Sequence, residues 1–145
     1  MLHFDSLGLL EAEKAIAGGI AAAHAAGKAM AFAVADHSGE MIATARMDGA
    51  NPRILRHSIR KAYTAAQMCR HTLSFKRDLA EREGALDQWG DANLTTLPGG
   101  LAVQSGGKFV GGVGAGGGGP DDERIARAMV KAMGFEVIED ERAGR

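Results

Sequence analysis

The stretch from Leu97 to Gly119, LPGGLAVQSGGKFVGGVGAGGGG, holds more than half of the chain's 21 glycines, yet it is too apolar to be a linker. It reads as a β-hairpin. Leu101 and Val103 alternate ahead of a Ser105-Gly106-Gly107 turn, and Phe109 to Val113 returns, with glycine supplying the positive φ that a tight hairpin requires. The four-glycine run ends at Pro120, where Asp121, Asp122 and Glu123 open a helix with their charge at its positive end. Backbone stripped of side chains on both approaches admits a close neighbour: a ligand, another subunit or another part of the same chain.

Around this hairpin the chain divides into short periodic pieces. Leu9 to Ala26 places Leu9, Ala12, Ile16, Ile20 and His24 on one stripe, an amphipathic helix stopped by Gly27. Ala29 to Ala35, an Asp36-His37-Ser38-Gly39 turn and Glu40 to Met47 make a first hairpin, closed by Asp48-Gly49. Asn51-Pro52 is a cap followed by a residue suited to the first helical position, and Leu55, Ile59, Ala62, Ala66 and Cys69 predict the buried stripe of a long helix. Arg53, Arg56, Arg60, Lys61 and Arg70 make that segment locally basic. A further helix is expected from Ser74 to Glu83, then a surface loop over Gly84 to Thr96. The last helix runs from Asp121 to Met133 with Ile125, Met129 and Met133 inward, followed by a short strand at Phe135 to Ile138 and a frayed tail from Glu139 to Arg145. Helices alternating with hairpins argue for an antiparallel sheet with helices packed on it, an α+β domain.

Composition narrows the function. At 145 residues the chain makes one domain with a core of its own. A single Trp and a single Tyr offer no platform for stacking bases, and a net charge of -1 supplies no field for nucleic acid or a membrane surface, so neither is an expected partner. Cys69 stands alone, without a disulfide partner, and reads as packed rather than reactive. The first residues carry Asp5 and no basic leader, and no apolar run approaches the roughly 20 residues that span a bilayer, so a cytoplasmic location is expected.

Several constellations carry chemistry. Gly112, Gly114 and Gly117 match G-x-G-x-x-G, but Asp121, Asp122 and Glu123 would crowd the helix end where a pyrophosphate should sit, and too little chain follows for a parallel sheet. His24 on an apolar face suits an axial ligand to haem iron or another metal, although a histidine placed near a helix C-terminus, where the dipole favours it, is the reading that comes first. His37 lies in a turn and His57 and His71 on the basic face, with no i, i+4 pair to make a protein-only metal centre. Arg46, at the end of a hairpin strand, and Lys61 can hold a carboxylate, one through its fork and the other as a point charge; Arg60 reads as solvated helix charge.

Taken together, Ala33-Val34-Ala35-Asp36-His37-Ser38-Gly39, Ala45-Arg46-Met47-Asp48-Gly49-Ala50, Lys61-Ala62-Tyr63-Thr64-Ala65, Pro98-Gly99-Gly100 and Gly111-Gly112-Val113-Gly114, followed by Asp122-Glu123 and Ile125-Ala126, resemble the GlcG/HbpS-like family. This family of small haem-binding and glycolate-operon-associated proteins also occurs as the C-terminal domain of propanediol-utilisation cobalamin adenosyltransferases. The resemblance spans nearly the whole chain, residues 1–145 as one domain, and departs from the family pattern at Ala102 and Gly116. It implies a profilin-like α+β fold, a homo-oligomer and, in some members, haem or corrinoid binding at subunit surfaces.

Two functions follow as expectations. In the first, the protein binds a tetrapyrrole or a small anionic ligand, with His24 on the iron of a haem and the Pro98, Gly99 and Gly100 turn against the ring. In the second, it is a catabolic lyase, hydratase or isomerase of a small carboxylated or aromatic substrate, with Arg46 or Lys61 holding the anion and Asp36 or Asp48 moving a proton. A purely structural oligomer is the third reading. Arg46, Lys61 and the Pro98-Gly99-Gly100 turn are expected to line one pocket.

Overall fold

The computed structural model of the chain describes residues 1–139; positions 140–145 of the expected frayed tail lie outside the described residues. Helix α1 spans Leu9–Ala25, strands β1 and β2 Ala31–Ala35 and Met41–Arg46, helices α2 and α3 Pro52–Met68 and Thr72–Glu81. Strands β3 and β4 follow at Gly100–Ser105 and Lys108–Gly116, then α4 at Asp122–Met133 and β5 at Glu136–Val137. Among the described residues the five strands form one antiparallel sheet in the order β2-β1-β4-β3-β5. This is the α+β fold that the hairpin pattern predicts.

Helices cover both faces of the sheet. On one face, α1 and α4 pack over Phe32, Val34, Leu101, Val103 and Val113, and the core there is closed by Ile125, Met129 and Val130. On the other face α2 lies against Ala33 and Ala35 through Ala62 and Ala66, and Thr72 at the start of α3 meets Gly100 of β3 beside it. The glycines of β4 make that approach possible. A methyl group on Gly112 would come within 2.6 Å of the Ala62 carbonyl oxygen, one on Gly114 would overlap the Ser58 carbonyl oxygen, and one on Gly116 would lie 2.8 Å from Ser58 Oγ. The close neighbour of the bare backbone is therefore this chain's own second helix. Gly116, which departs from the family pattern, is filled from that helix, whose Ser58 hydroxyl also reaches the Ala31 carbonyl at 2.9 Å.

Local chemistry sets the ends of these elements much as the sequence predicts. Gly106 and Gly107 both adopt positive φ, 56° and 82°, which gives the β3-β4 turn the twist that matches its strands. Asn51 Oδ1 accepts the Arg53 amide at 3.0 Å, capping α2, and Pro52 occupies its first turn. Helix α4 begins one residue later than expected, because Gly119–Asp121 winds as a 3-10 turn before it. No helix among the described residues is long and apolar enough to cross a membrane.

Two buried stripes differ from the expected ones. The inward residues of α1 are Ala12, Ala15, Gly19 and Ala23, so Leu9 and His24 are exposed and Ile16 and Ile20 lie at the flank. On α2 the inward set is Ser58, Lys61, Ala62, Thr64, Ala65 and Ala66, which leaves Leu55 and Ile59 half-buried and Cys69 exposed at the helix end, although partial burial still pushes its thiol up. The cause is the same in both. Where a helix rides against backbone or a neighbouring helix at close range, the contact face belongs to the smallest side chains, and the larger apolar ones are displaced to its edges.

The Asp36 turn illustrates a local carboxylate cap. Its Oδ1 accepts the Ser38 amide at 2.9 Å, the Ser38 hydroxyl at 2.8 Å and the Glu40 amide at 3.0 Å. Burial pushes this carboxyl up, but the Ser38 and Glu40 hydrogen bonds outweigh it and hold it below the ordinary value of 3.8. A depressed folded-state value stabilises the fold above the unfolded value and loses that effect as pH falls through the folded one. Asp36→Ala should therefore be destabilising at neutral pH, with a penalty that shrinks steadily below about pH 4; urea unfolding of both proteins across that range measures it.

Candidate functional site

A cleft of about 570 Å³ opens where the first turns of α2 meet the crossing from β4 to α4. Arg53, Ile54, His57 and Lys61 line it from α2, and Gly116, Gly117, Gly119 and Pro120 from the crossing. Leu73, Leu97 and Pro98 form an apolar wall opposite, and Asp122 and Glu123 stand at the start of α4. The spacing of Arg53, His57 and Lys61 places all of them on one side of the helix.

At the cleft's base lies a buried ion pair. Lys61, 3% exposed, donates to Asp122 Oδ2 at 2.9 Å and to the Ala115 carbonyl at 2.8 Å. The other oxygen of Asp122 accepts the Gly118 amide at 2.7 Å, so one carboxylate both neutralises the lysine and fixes the glycine crossing. Lys28 ties the same crossing from outside, donating to the Gly118 carbonyl at 2.6 Å and to Asp121 at 2.8 Å. Gly99 sits against this assembly with φ +112°, where a methyl group would lie 2.6 Å from the Ala115 oxygen and 3.2 Å from Lys61 Nζ. Gly100 is equally hemmed in, and its amide donates to Thr72 Oγ1 at 3.1 Å. A lysine ammonium carries three N–H donors, and two of them are committed here.

The predicted site residues are only partly gathered. Lys61 and Pro98 line the cleft, with Gly99 and Gly100 directly behind them. Lys61 is buried and paired, not a solvated helix charge. Arg46 lies outside the lining: it is exposed and donates to the Ala50 carbonyl at 2.9 Å, closing its own turn. The sheet order puts β1 and β4 between Arg46 and β3, so the equivalent ends of the two hairpins are not neighbours. Asp48 is exposed in the turn beyond Arg46, and Asp36 is committed to its turn at the far end of β1, roughly 15 Å along the strand from the residue that pairs with Gly116. The acid-base set expected for a lyase or isomerase is thus dispersed. His24 is exposed on α1, on the other side of the sheet from α2. Arg53, His57, Asp122 and Glu123 join the site from outside the expected set; the signal for Arg53 and His57 is their i, i+4 placement just after the Asn51-Pro52 cap.

With this geometry in hand, the family model for haem-degrading HbpS-like proteins matches residues 7–131. The chain belongs to the HbpS-like family. Crystal structures of HbpS superpose closely: one is 32% identical, with a TM-score of 0.81 over 90% of this chain and 92% of that one. A double mutant of Streptomyces reticuli HbpS is 30% identical, with a TM-score of 0.80 over 90% and 89% of the two chains. A PduOC–haem complex, 22% identical, has a TM-score of 0.82 over 92% of this chain and 99% of that one, a likeness of fold. A search of curated proteins found no match. The HbpS-like chain therefore pairs the fold of its relatives with a cleft whose polar groups come from α2 and α4.

Proposed function

We propose that this protein binds a flat, anionic small ligand, a tetrapyrrole of the haem type, in the cleft beside Lys61. The observation that supports this reading is the conjunction, within about 570 Å³, of an apolar wall of Leu73, Leu97 and Pro98 with the cations Arg53 and Lys61 and the imidazole of His57. That volume falls within the range of ordinary small-molecule sites. The donor set fits haem at the α2 side of the cleft: Arg53 would meet a propionate, His57 offers a nitrogen to iron, and the apolar wall sheds water from the ring, while Asp122, on the α4 side, is already neutralised by Lys61. When bound, haem would supply a redox-active iron whose axial ligand tunes it. Membership of the HbpS-like family and the fold shared with a PduOC–haem complex favour the same ligand class.

Hemin titration tests the reading. His57→Ala should move the Soret band, whereas His24→Ala should leave it in place; the opposite pattern transfers the iron site to the α1 surface. A charge-assisted bond to a carboxylate contributes about 1.5 to 3 kcal/mol, so Arg53→Ala should weaken hemin by roughly ten- to a hundredfold, while Arg46→Ala changes it by less than about twofold. Absence of saturable hemin binding to the unaltered protein would end the proposal.

The same reading includes a homo-oligomer. Its small-residue faces are used inside the protomer, between α2 and the sheet, so the support comes instead from the exposed apolar side chains Leu2, Phe4, Leu9 and Leu10 near the start of α1. Light scattering giving a mass near the 15.1 kDa of one chain at micromolar concentration would overturn it.

A further inference from the structure

Behind the wall formed by Leu73 and Glu123 lies a second, smaller cavity of about 170 Å³, which Ser74, Arg77, Arg127, His71 and Glu139 complete. The His71 side chain is 5% exposed, and its Nδ1 lies 3.3 Å from Glu123 Oε1. Among the described residues its other nitrogen, Nε2, is buried without a hydrogen-bond partner. A buried polar atom left unpaired costs free energy, and such atoms are uncommon in folded proteins. One carboxylate stops short of it: Glu139 Oε2 is 3.8 Å away.

Glu139 itself is gripped by Arg127, whose Nη1 and Nη2 donate to its two oxygens at 2.7 and 3.2 Å. This is the forked geometry by which arginine recognises free carboxylates. Hydrogen bonding to Arg127 holds the Glu139 carboxyl below its usual value, and the same contact raises the guanidinium. Yet Glu139 comes from the margin of the fold. It follows the two-residue strand β5 and keeps 63% of its side chain in solvent, whereas the His71 side chain keeps 5%.

We propose that Arg127 and His71 form a second binding subsite, for a small free carboxylate, in which the protein's own Glu139 side chain acts as a tethered stand-in. Glu139 satisfies the arginine and, held there, stops 3.8 Å short of the imidazole. A small free acid has no tether and can sit deeper, meeting Arg127 with its carboxylate and Nε2 with a carboxylate oxygen or an adjacent hydroxyl, since an imidazole nitrogen donates or accepts according to its tautomer. Ser74 and Arg77 line the same cavity. The subsite is separate from the cleft proposed for the tetrapyrrole, sharing only the wall of Leu73 and Glu123.

A short tether gives Glu139 an effective concentration of order millimolar, so a free acid binds the unaltered protein weakly against it. Glu139→Ala, at an exposed position, removes the competitor and should tighten binding by roughly tenfold. The probe is sodium propionate at constant ionic strength, read by the ¹⁵N resonance of His71 Nε2, with propionamide as the uncharged control. The expected result is a saturable shift in Glu139→Ala with propionate and none with propionamide, abolished when Arg127→Met is added, while circular dichroism shows both variants folded. No saturable shift in Glu139→Ala, or equal binding after Arg127→Met is added, would overturn the subsite. Hemin titration of the same variants reports on the larger cleft separately, so failure of one site is distinguishable from failure of the other.

Discussion

Gly114→Ala is expected to destabilise the domain by about 3 kcal/mol, at the upper end of what overpacking costs, and Gly114→Val by more. The added methyl would overlap the Ser58 carbonyl oxygen and come within 2.8 Å of the Ala62 nitrogen and 3.0 Å of Lys61 Cβ. Two of these obstacles are helix backbone, which no rotamer change can clear. Helix α2 would have to lift from β4, separating Ala62 and Ala66 from Ala33 and Ala35 and displacing Lys61 from Asp122. Gly8→Ala is the control. A methyl there meets nothing closer than the Glu11 carboxylate at 3.9 Å, and its backbone is extended. Urea unfolding of both variants decides the matter: equal midpoints would mean that α2 is not pinned by its approach to the glycine strand.

That close approach also explains how much of the site was legible in the sequence. Hairpins, caps and the α4 start are written in local chemistry, in Gly106-Gly107, Asn51-Pro52 and Asp121-Asp122-Glu123, and the structure keeps them within one to three residues. The inner face of α2 is not written that way. Hydrophobic periodicity assumes that the buried face carries the bulky apolar residues, but a helix lying on glycine backbone buries Ser58, Lys61, Ala62 and Ala65. The stripe through Leu55, Ile59 and Cys69 therefore points to the edge of the contact, and Lys61 looks like a surface charge. On α1 the same effect selects Ala12, Ala15, Gly19 and Ala23 and turns His24 outward. A methyl on Gly18 would overlap Ala132 Cβ on α4, which shows how closely those helices pack. Pairing Arg46 with Gly99 failed for a different reason. Strand order is a long-range property: β4 adds to β1 and places both inner strands between them.

Lys61→Met should be among the most costly single substitutions outside the glycine strand, at about 3 to 5 kcal/mol, because it removes one partner of a buried pair and leaves the other charge uncompensated. Asp122 Oδ2 would lose its cation, and the Ala115 carbonyl would lose a donor, while Oδ1 stayed committed to the Gly118 amide. The penalty belongs to the stranded charge more than to the attraction, so it should be partly relieved by removing that charge. In Lys61→Met/Asp122→Asn the amide oxygen can still accept from Gly118, and no net charge remains buried. The double variant is expected to regain about 1 to 3 kcal/mol over Lys61→Met, a coupling of the size expected for residues in direct contact. Denaturant midpoints for the single and double variants make the test. If Lys61→Met unfolds at the wild-type midpoint, the ammonium is not holding the α4 start to the sheet; if the double variant is no more stable than the single, the cost comes from lost packing and not from charge. Retained stability in the double variant also opens the cleft to experiment, since hemin binding can then be measured with the base intact in shape and stripped of its cation.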